Sequence, residues 1–168
     1  MNHKAFEEVR TENLLLRMPN SGDLPTILSI EGDPATNQHR PAGPMKNLSE
    51  AEETLNRWQN DWATFGYGYW AVVLPSESDL IGIGGIRRDR WMEKDVLNLY
   101  YRFSPNAWGH GYASEVSQTA VEMAKKYLPD LPVIARIRPV NKPSMRVAEK
   151  IGLRHCPELD SAEHMVFS

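Results

Sequence analysis

The chain is poor in cysteine, has no long apolar run and carries no excess of positive charge. One cysteine, Cys156, among 168 residues excludes an internal disulfide framework and fits a reducing compartment. No apolar run approaches the ~20 residues a membrane span requires, and the opening MNHKAFEEVR has no signal-peptide apolar region. With 22 acidic against 19 basic residues the formal net charge is −3. That balance argues against a domain holding nucleic acid through bulk positive charge. The histidines His3, His39, His110, His155 and His164 show no His-Glu-x-x-His or comparable spacing, so no metal is expected. A Gly-x-x-x-x-Gly-Lys-Ser/Thr string is also missing, which excludes a P-loop nucleotidase. The remaining class is a single globular domain over residues 1–168, expected in the cytoplasm, with neither membrane nor nucleic acid as partner.

What is present is an alternation of strand and helix patterns. Thr11–Met18 reads as a strand closed by Pro19; Ser21 is placed to cap a short helix that Gly32 ends. Asp33–Asn47, with Pro34, Pro41, Gly43 and Pro44, reads as a loop. Ser49 and Glu52 have capping-box spacing, and Leu55, Trp58, Trp62 and Phe65 then trace one helical face. Tyr69–Leu74 and Leu80–Ile86 read as a hairpin around PSESD, and Val96–Ser104 as a further strand. From Gly111 the period is helical, with Ala113, Val116, Ala120, Met123, Ala124 and Tyr127 on one face. Val133–Arg138 is a strand, Asn141–Ile151 a helix closed by Gly152, and His164–Phe167 a last strand. The class is α/β in the mixed α+β sense.

Gly66-Tyr-Gly-Tyr-Trp-Ala71 formally matches the dinucleotide fingerprint, but a helix precedes it and a strand follows, the reverse of what that fingerprint needs. The informative stretch is Leu97–Ala113, where a strand runs through a two-glycine loop into a well-patterned helix. Unpaired N–H groups at such a helix start attract an anion, and glycine lets the backbone approach a bulky phosphate. An ordinary strand-to-helix turn is the plainer alternative for this segment.

WGHGYASE resembles the acetyl-CoA-binding loop of the GNAT acetyltransferases, with Gly111 and Ala113 in the last two motif positions and Trp108 where many members have Gln or Arg. The Trp-Gly-x-Gly-Tyr-Ala string is similar to the Rim-type branch, the ribosomal-protein N-terminal acetyltransferases. NKPSMRVAEKIGL resembles the family's Asn-x-x-Ser helix start through Asn141, Ser144, Val147, Lys150 and Gly152. TENLLLRMPNSGDL and LIGIGGI resemble the branch's first strand and helix and its central hairpin strand. The resemblance implies a central mixed, mostly antiparallel sheet with one splayed parallel strand pair, flanked by about four helices.

It also implies a site. Acetyl-CoA, as co-substrate, would lie in a V-shaped gap between Val96–Ser104 and Val133–Arg138, its pantetheine arm pairing with backbone near Arg102 and Phe103. Its pyrophosphate would rest on the segment Trp108, Gly109, His110, Gly111, Tyr112, Ala113 and Ser114, with Asn141 facing the pantetheine or thioester side of the gap. Lys142 and Arg146 would flank the gap; a solvated helix surface is their alternative. His110 has the same two readings, phosphate contact or solvated side chain. The implied reaction is direct acetyl transfer to a primary amine, either a protein N-terminus or a small molecule. The resemblance to Rim-type members at this position makes Ser144 the candidate proton donor to the departing thiolate, with capping or packing of the helix start as its alternative. The tyrosine near the C-terminus that many other members use has no counterpart, since no tyrosine follows Tyr127. Asn98 stands where many members carry a glutamate base; an amide orients water but cannot take a proton near neutrality. The alternative is therefore a non-catalytic acyl-CoA-binding or regulatory domain. A homodimer is admitted. The Trp58–Trp62–Phe65 face, with Tyr67 and Tyr69, is read as core or as the lining of the acceptor entry. Arg87, Arg88 and Arg90 are read as the solvated end of the hairpin rather than an RNA-facing patch.

Overall fold

The computed structural model describes residues 3–38 and 42–168; His39 and Pro41 of the expected loop lie outside the described residues. The elements run β1 (Glu8–Arg10), β2 (Leu15–Arg17), α1 (Leu24–Glu31), α2 (Leu48–Phe65), β3 (Tyr69–Leu74), β4 (Asp79–Trp91), β5 (Lys94–Phe103), α3 (Tyr112–Tyr127), β6 (Val133–Ile137), α4 (Lys142–Lys150) and β7 (Met165–Phe167). The strands form one sheet in sequence order, and every neighbouring pair is antiparallel except β5 and β6. The α3 crossover supplies that parallel connection. No helix among the described residues is long and apolar enough to cross a membrane.

Several boundaries differ from the sequence reading for local reasons. The expected strand Thr11–Met18 shortens to β2 because Thr11 N–H bonds Leu14 C=O at 2.9 Å, turning the chain back against β1. Asparagines rather than serines cap the first two helical segments. The Asn20 side chain accepts from Gly22 N–H at 2.9 Å, and that of Asn47 from Glu50 N–H at 2.9 Å. Strand β4 continues past Ile86 to Trp91, where Met92 and Glu93 take positive φ (49° and 68°) in a two-residue hairpin turn. Arg87, Arg88 and Arg90 therefore lie within a strand. Arg87 Nε bonds Asp61 at 2.9 Å, and Arg88 Nη2 bonds Asp95 at 3.0 Å.

The sheet separates two apolar layers. On one face α3 and α4 pack Val116, Ala120, Met145 and Ala148 against Leu97, Leu99 and Phe103 of β5 and Ala135 and Ile137 of β6. On the other, α1 and α2 pack Ile27, Leu55 and Trp58 against Tyr69, Ala71 and Ile83. Trp58 and Trp62 are only 6% and 5% exposed, and Tyr67 and Tyr69 are buried as well. Trp62 Nε1 donates to Tyr69 C=O at 3.0 Å. These four aromatic side chains are core and do not line an entry, since burying them removes large apolar surfaces from water.

Glycine in β4 sets how closely β5 approaches. A Cβ on Gly82 would stand 2.5 Å from Phe103 Cδ1 and 2.8 Å from Arg102 C=O. Gly82→Ala is expected to lower stability by about 1–3 kcal/mol, as overpacking does, read as a lower urea midpoint with an unchanged m-value.

Candidate active site

Strand β5 pairs with β6 only at Leu97–Val133 and Asn98–Ile134. Beyond Asn98 the two strands part, and a cleft of about 680 Å³ opens between them. Leu97 N–H points to β6, bonding Pro132 C=O at 2.8 Å, whereas Ser104 N–H bonds Ile81 C=O on the β4 side at 2.9 Å. Alternation along β5 therefore turns the backbone groups of Leu99, Tyr101 and Phe103 toward the opening. An extended ligand can add to that edge as another strand would. Trp108, 48% exposed, covers its far end by donating Nε1–H to Phe103 C=O at 3.1 Å.

Gly109 and Gly111 sit at φ 83° and 79°, and nothing lies within 4 Å of a Cβ built on either. Backbone conformation, rather than crowding, demands glycine at both. Gly111 is the N-cap of α3 and offers no side-chain cap. The N–H groups of Tyr112, Ala113 and Ser114 therefore open the helix without an intrahelical acceptor, because the ladder starts with Glu115 N–H on Gly111 C=O at 3.1 Å. Tyr112, Ala113 and Ser114 line the cleft. Burial pushes the Glu115 carboxyl up, but bonds from Thr11 and Asn13 outweigh this and hold it below the usual range. That carboxylate is thereby tied to the segment before β2.

At the other end Asn141 and Ser144 begin α4. The Asn141 side chain accepts from Ser144 N–H at 3.3 Å, and both residues line the cleft. Tyr101 of β5 donates its O–H to Ser144 Oγ at 2.9 Å. Burial raises the Tyr101 pKa, the bond to Ser144 opposing it in part, so this phenol stays protonated at neutral pH. A serine hydroxyl has one proton. With Oγ accepting from Tyr101, that proton is free to be given toward the cleft.

The remaining expected residues are not all brought together. Asn98 is 9% exposed and stands where the strands part. Its Nδ2 donates to Tyr69 Oη at 2.8 Å, and its Oδ1 accepts from Arg136 Nε at 3.0 Å. It does not line the cleft. Arg136 does, and it also bonds Asp89 at 2.8 Å, so Asn98 helps to hold this guanidinium. Arg102 lines the cleft from the α1 face, bonded to Glu31 at 2.6 Å and Asn37 Oδ1 at 3.1 Å. Tyr100 donates to the same Glu31 at 2.7 Å. His110 is exposed, stacks on Tyr112 with centroids 5.3 Å apart, and stands outside the cleft, as do the exposed Lys142 and Arg146. Tyr101 and His164 are cleft residues that sequence reasoning missed. Strand periodicity places Tyr101 beside Leu99 and Phe103, but nothing local joins it to a helix 43 positions away.

The sequence profile of the acetyltransferase (GNAT) domain matches residues 13–154. The Bacillus subtilis (strain 168) protein YkkB is 26% identical over 156 residues, spanning 92% of this chain and 88% of that one. The uncharacterized N-acetyltransferase YnaD of the same strain is 29% identical over 146 residues, spanning 87% and 82%. Among solved structures, an acetyltransferase from Agrobacterium tumefaciens superposes with a TM-score of 0.81 at 25% identity, over 95% of this chain and 92% of that one. The ribosomal-protein-S5-alanine acetyltransferase from Vibrio fischeri gives 0.68 at 17% identity over 95% and 94%. The spermidine N-acetyltransferase from Vibrio cholerae, in complex with CoA and spermine, gives 0.71 at 17% over 94% of each.

Proposed function

Because the chain belongs to the GNAT acetyltransferase family, it is an acyltransferase, and we propose that it moves acetyl from CoA to a primary amine by direct attack. Residues 1–168 act in this reading as one catalytic unit. The observation that carries it is the cleft itself, lined by an open β5 edge, by the bare start of α3 and by the hydrogen-bonded Tyr101–Ser144 hydroxyl pair. The pantetheine adds to the backbone of Leu99, Tyr101 and Phe103, and the pyrophosphate rests on Trp108 to Ser114. A β5 N–H that faces the opening receives the negative charge developing on the thioester oxygen. Ser144 gives its proton to the leaving sulfur and is itself held by Tyr101 and Asn141. Asn98 acts through Arg136 rather than on the substrate.

The acceptor is a small amine or a protein N-terminus. The spermine in the Vibrio cholerae complex and the alanine in the name of the Vibrio fischeri enzyme support an amine acceptor of either size. The test mixes the protein with acetyl-CoA and a panel of polyamines, amino-acid amides and N-terminal peptides, and follows free thiol. Thiol release that depends on both acetyl-CoA and an amine is expected. Tight CoA binding with no release on any acceptor would instead leave a binding or regulatory domain.

A further inference from the structure

The cleft poses a problem of proton balance. The nitrogen that attacks a thioester carbonyl must lose a proton, yet among the described residues no Asp or Glu lines the cleft. Among the described residues its ionisable side chains are three arginines (Arg102, Arg136, Arg138), three tyrosines (Tyr100, Tyr101, Tyr112) and His164. Guanidinium stays protonated throughout the working range, and a phenol loses its proton only near pH ~10. Burial carries Tyr100 and Tyr101 higher still.

From this and its place in the fold we infer that His164 is the general base that takes the acceptor's proton. This rests on the acetyl-transfer reading above. His164 immediately precedes β7, whose Val166 packs against Val96 and Ile134. Strand alternation puts His164 on that same face of the sheet, beside Arg136 and Arg138 and opposite the face on which α4 carries Ser144. Base and acid thus stand on opposite faces of the splayed strands, with the gap between them. The ring is half-buried, and its nitrogens make no hydrogen bond with the described residues, so both are available to a substrate or a water. Burial lowers its pKa below the ordinary imidazole value, Arg138 just past β6 and Arg136 within it lower it further, and Glu163 opposes them. The neutral, proton-accepting form therefore prevails at neutral pH.

The step balances without another reagent. The amine lone pair forms the C–N bond while the carbonyl π pair moves onto oxygen. The surplus N–H proton passes to His164. The pair on oxygen then re-forms the C=O bond as the C–S bond breaks with its electrons on sulfur, which takes the Ser144 proton. Water removes the proton from His164 and restores that of Ser144 through Tyr101.

The test compares wild type, His164→Gln and His164→Ala, using acetyl-CoA with glycinamide, benzylamine or spermidine as acceptor. Both variants should lose about 10²-fold in kcat/KM, the usual weight of a general base, with the acetyl-CoA dissociation constant within about twofold of wild type. The wild-type acid limb, lying below the ordinary imidazole pKa, should vanish in both. Free imidazole should restore turnover to His164→Ala. Wild-type rates in the variants, or a loss that imidazole does not rescue, would overturn the assignment. A wild type that binds acetyl-CoA yet releases no thiol with these acceptors or with the N-terminal peptides of the wider panel would bring down the acetyl-transfer reading with it.

Discussion

Ser144→Ala is expected to lower kcat by two to three orders of magnitude, within the range for a lost general acid, while acetyl-CoA binds as before. The alanine removes the one proton the α4 end of the cleft can hand to a leaving thiolate. It keeps the α4 cap, because Asn141 accepts from the backbone N–H of residue 144 and not from its hydroxyl. Tyr101→Phe should cost less, about tenfold, because Ser144 keeps its own proton and loses only the bond that orients it. The double variant separates a unit from two independent contributors. If Tyr101 acts through Ser144, removing both costs no more than removing Ser144 alone; independent roles would multiply. Initial rates of thiol release for the four proteins, each at saturating acetyl-CoA, settle the matter. A Ser144→Ala enzyme at wild-type speed would hand the proton-donor role to Tyr101 or to water.

Local signals made much of this fold legible. The two-glycine approach to α3, the periodic faces of α2 and α3, and the β3–β4 hairpin all follow from residues a few positions apart, and the structure bears them out. Caps were harder to place, because Asn20 and Ser21, or Asn47 and Ser49, are chemically equivalent candidates within two residues. Strand ends were harder still. No residue marks Ile86 as a stop or Trp91 as the true end, and only pairing with Lys94 extends β4 that far. The loop proposed to hold the cofactor was readable as a loop because it is one contiguous stretch with two glycines at positive φ. The chemical half was not. Tyr101 meets Ser144, Asn98 meets Tyr69 and Arg136, and His164 reaches the cleft only through sheet order, contacts separated by tens of residues. Sequence reasoning could see that Asn98 stands where a base is usual, but not that its amide is spent on Tyr69 and Arg136.

A pair of matched glycine substitutions should separate anion binding from mere stability. Gly111 and Gly43 have nearly the same left-handed conformation, φ 79° and 75°, and an added Cβ at either meets nothing within 4 Å. A valine at either position therefore carries the same backbone penalty, about 1–2 kcal/mol for an L-residue held there. Thermal or urea unfolding should show similar losses for Gly111→Val and Gly43→Val. Their effects on acetyl-CoA should diverge. Gly43 does not line the cleft, whereas Gly111 is the N-cap that aims the α3 amides into it. Relaxing residue 111 toward negative φ should swing the Tyr112 and Ala113 N–H groups away from the proposed pyrophosphate position. Each hydrogen bond to a charged oxygen contributes about 1.5–3 kcal/mol, so losing one raises the dissociation constant about 10- to 100-fold. Calorimetric titration of both variants with CoA reads this directly. Equal affinities would mean that the phosphates are held by side chains, and that the bare start of α3 is only a turn. A selective loss at Gly111 would instead make backbone geometry the source of affinity in a protein whose net charge repels the ligand.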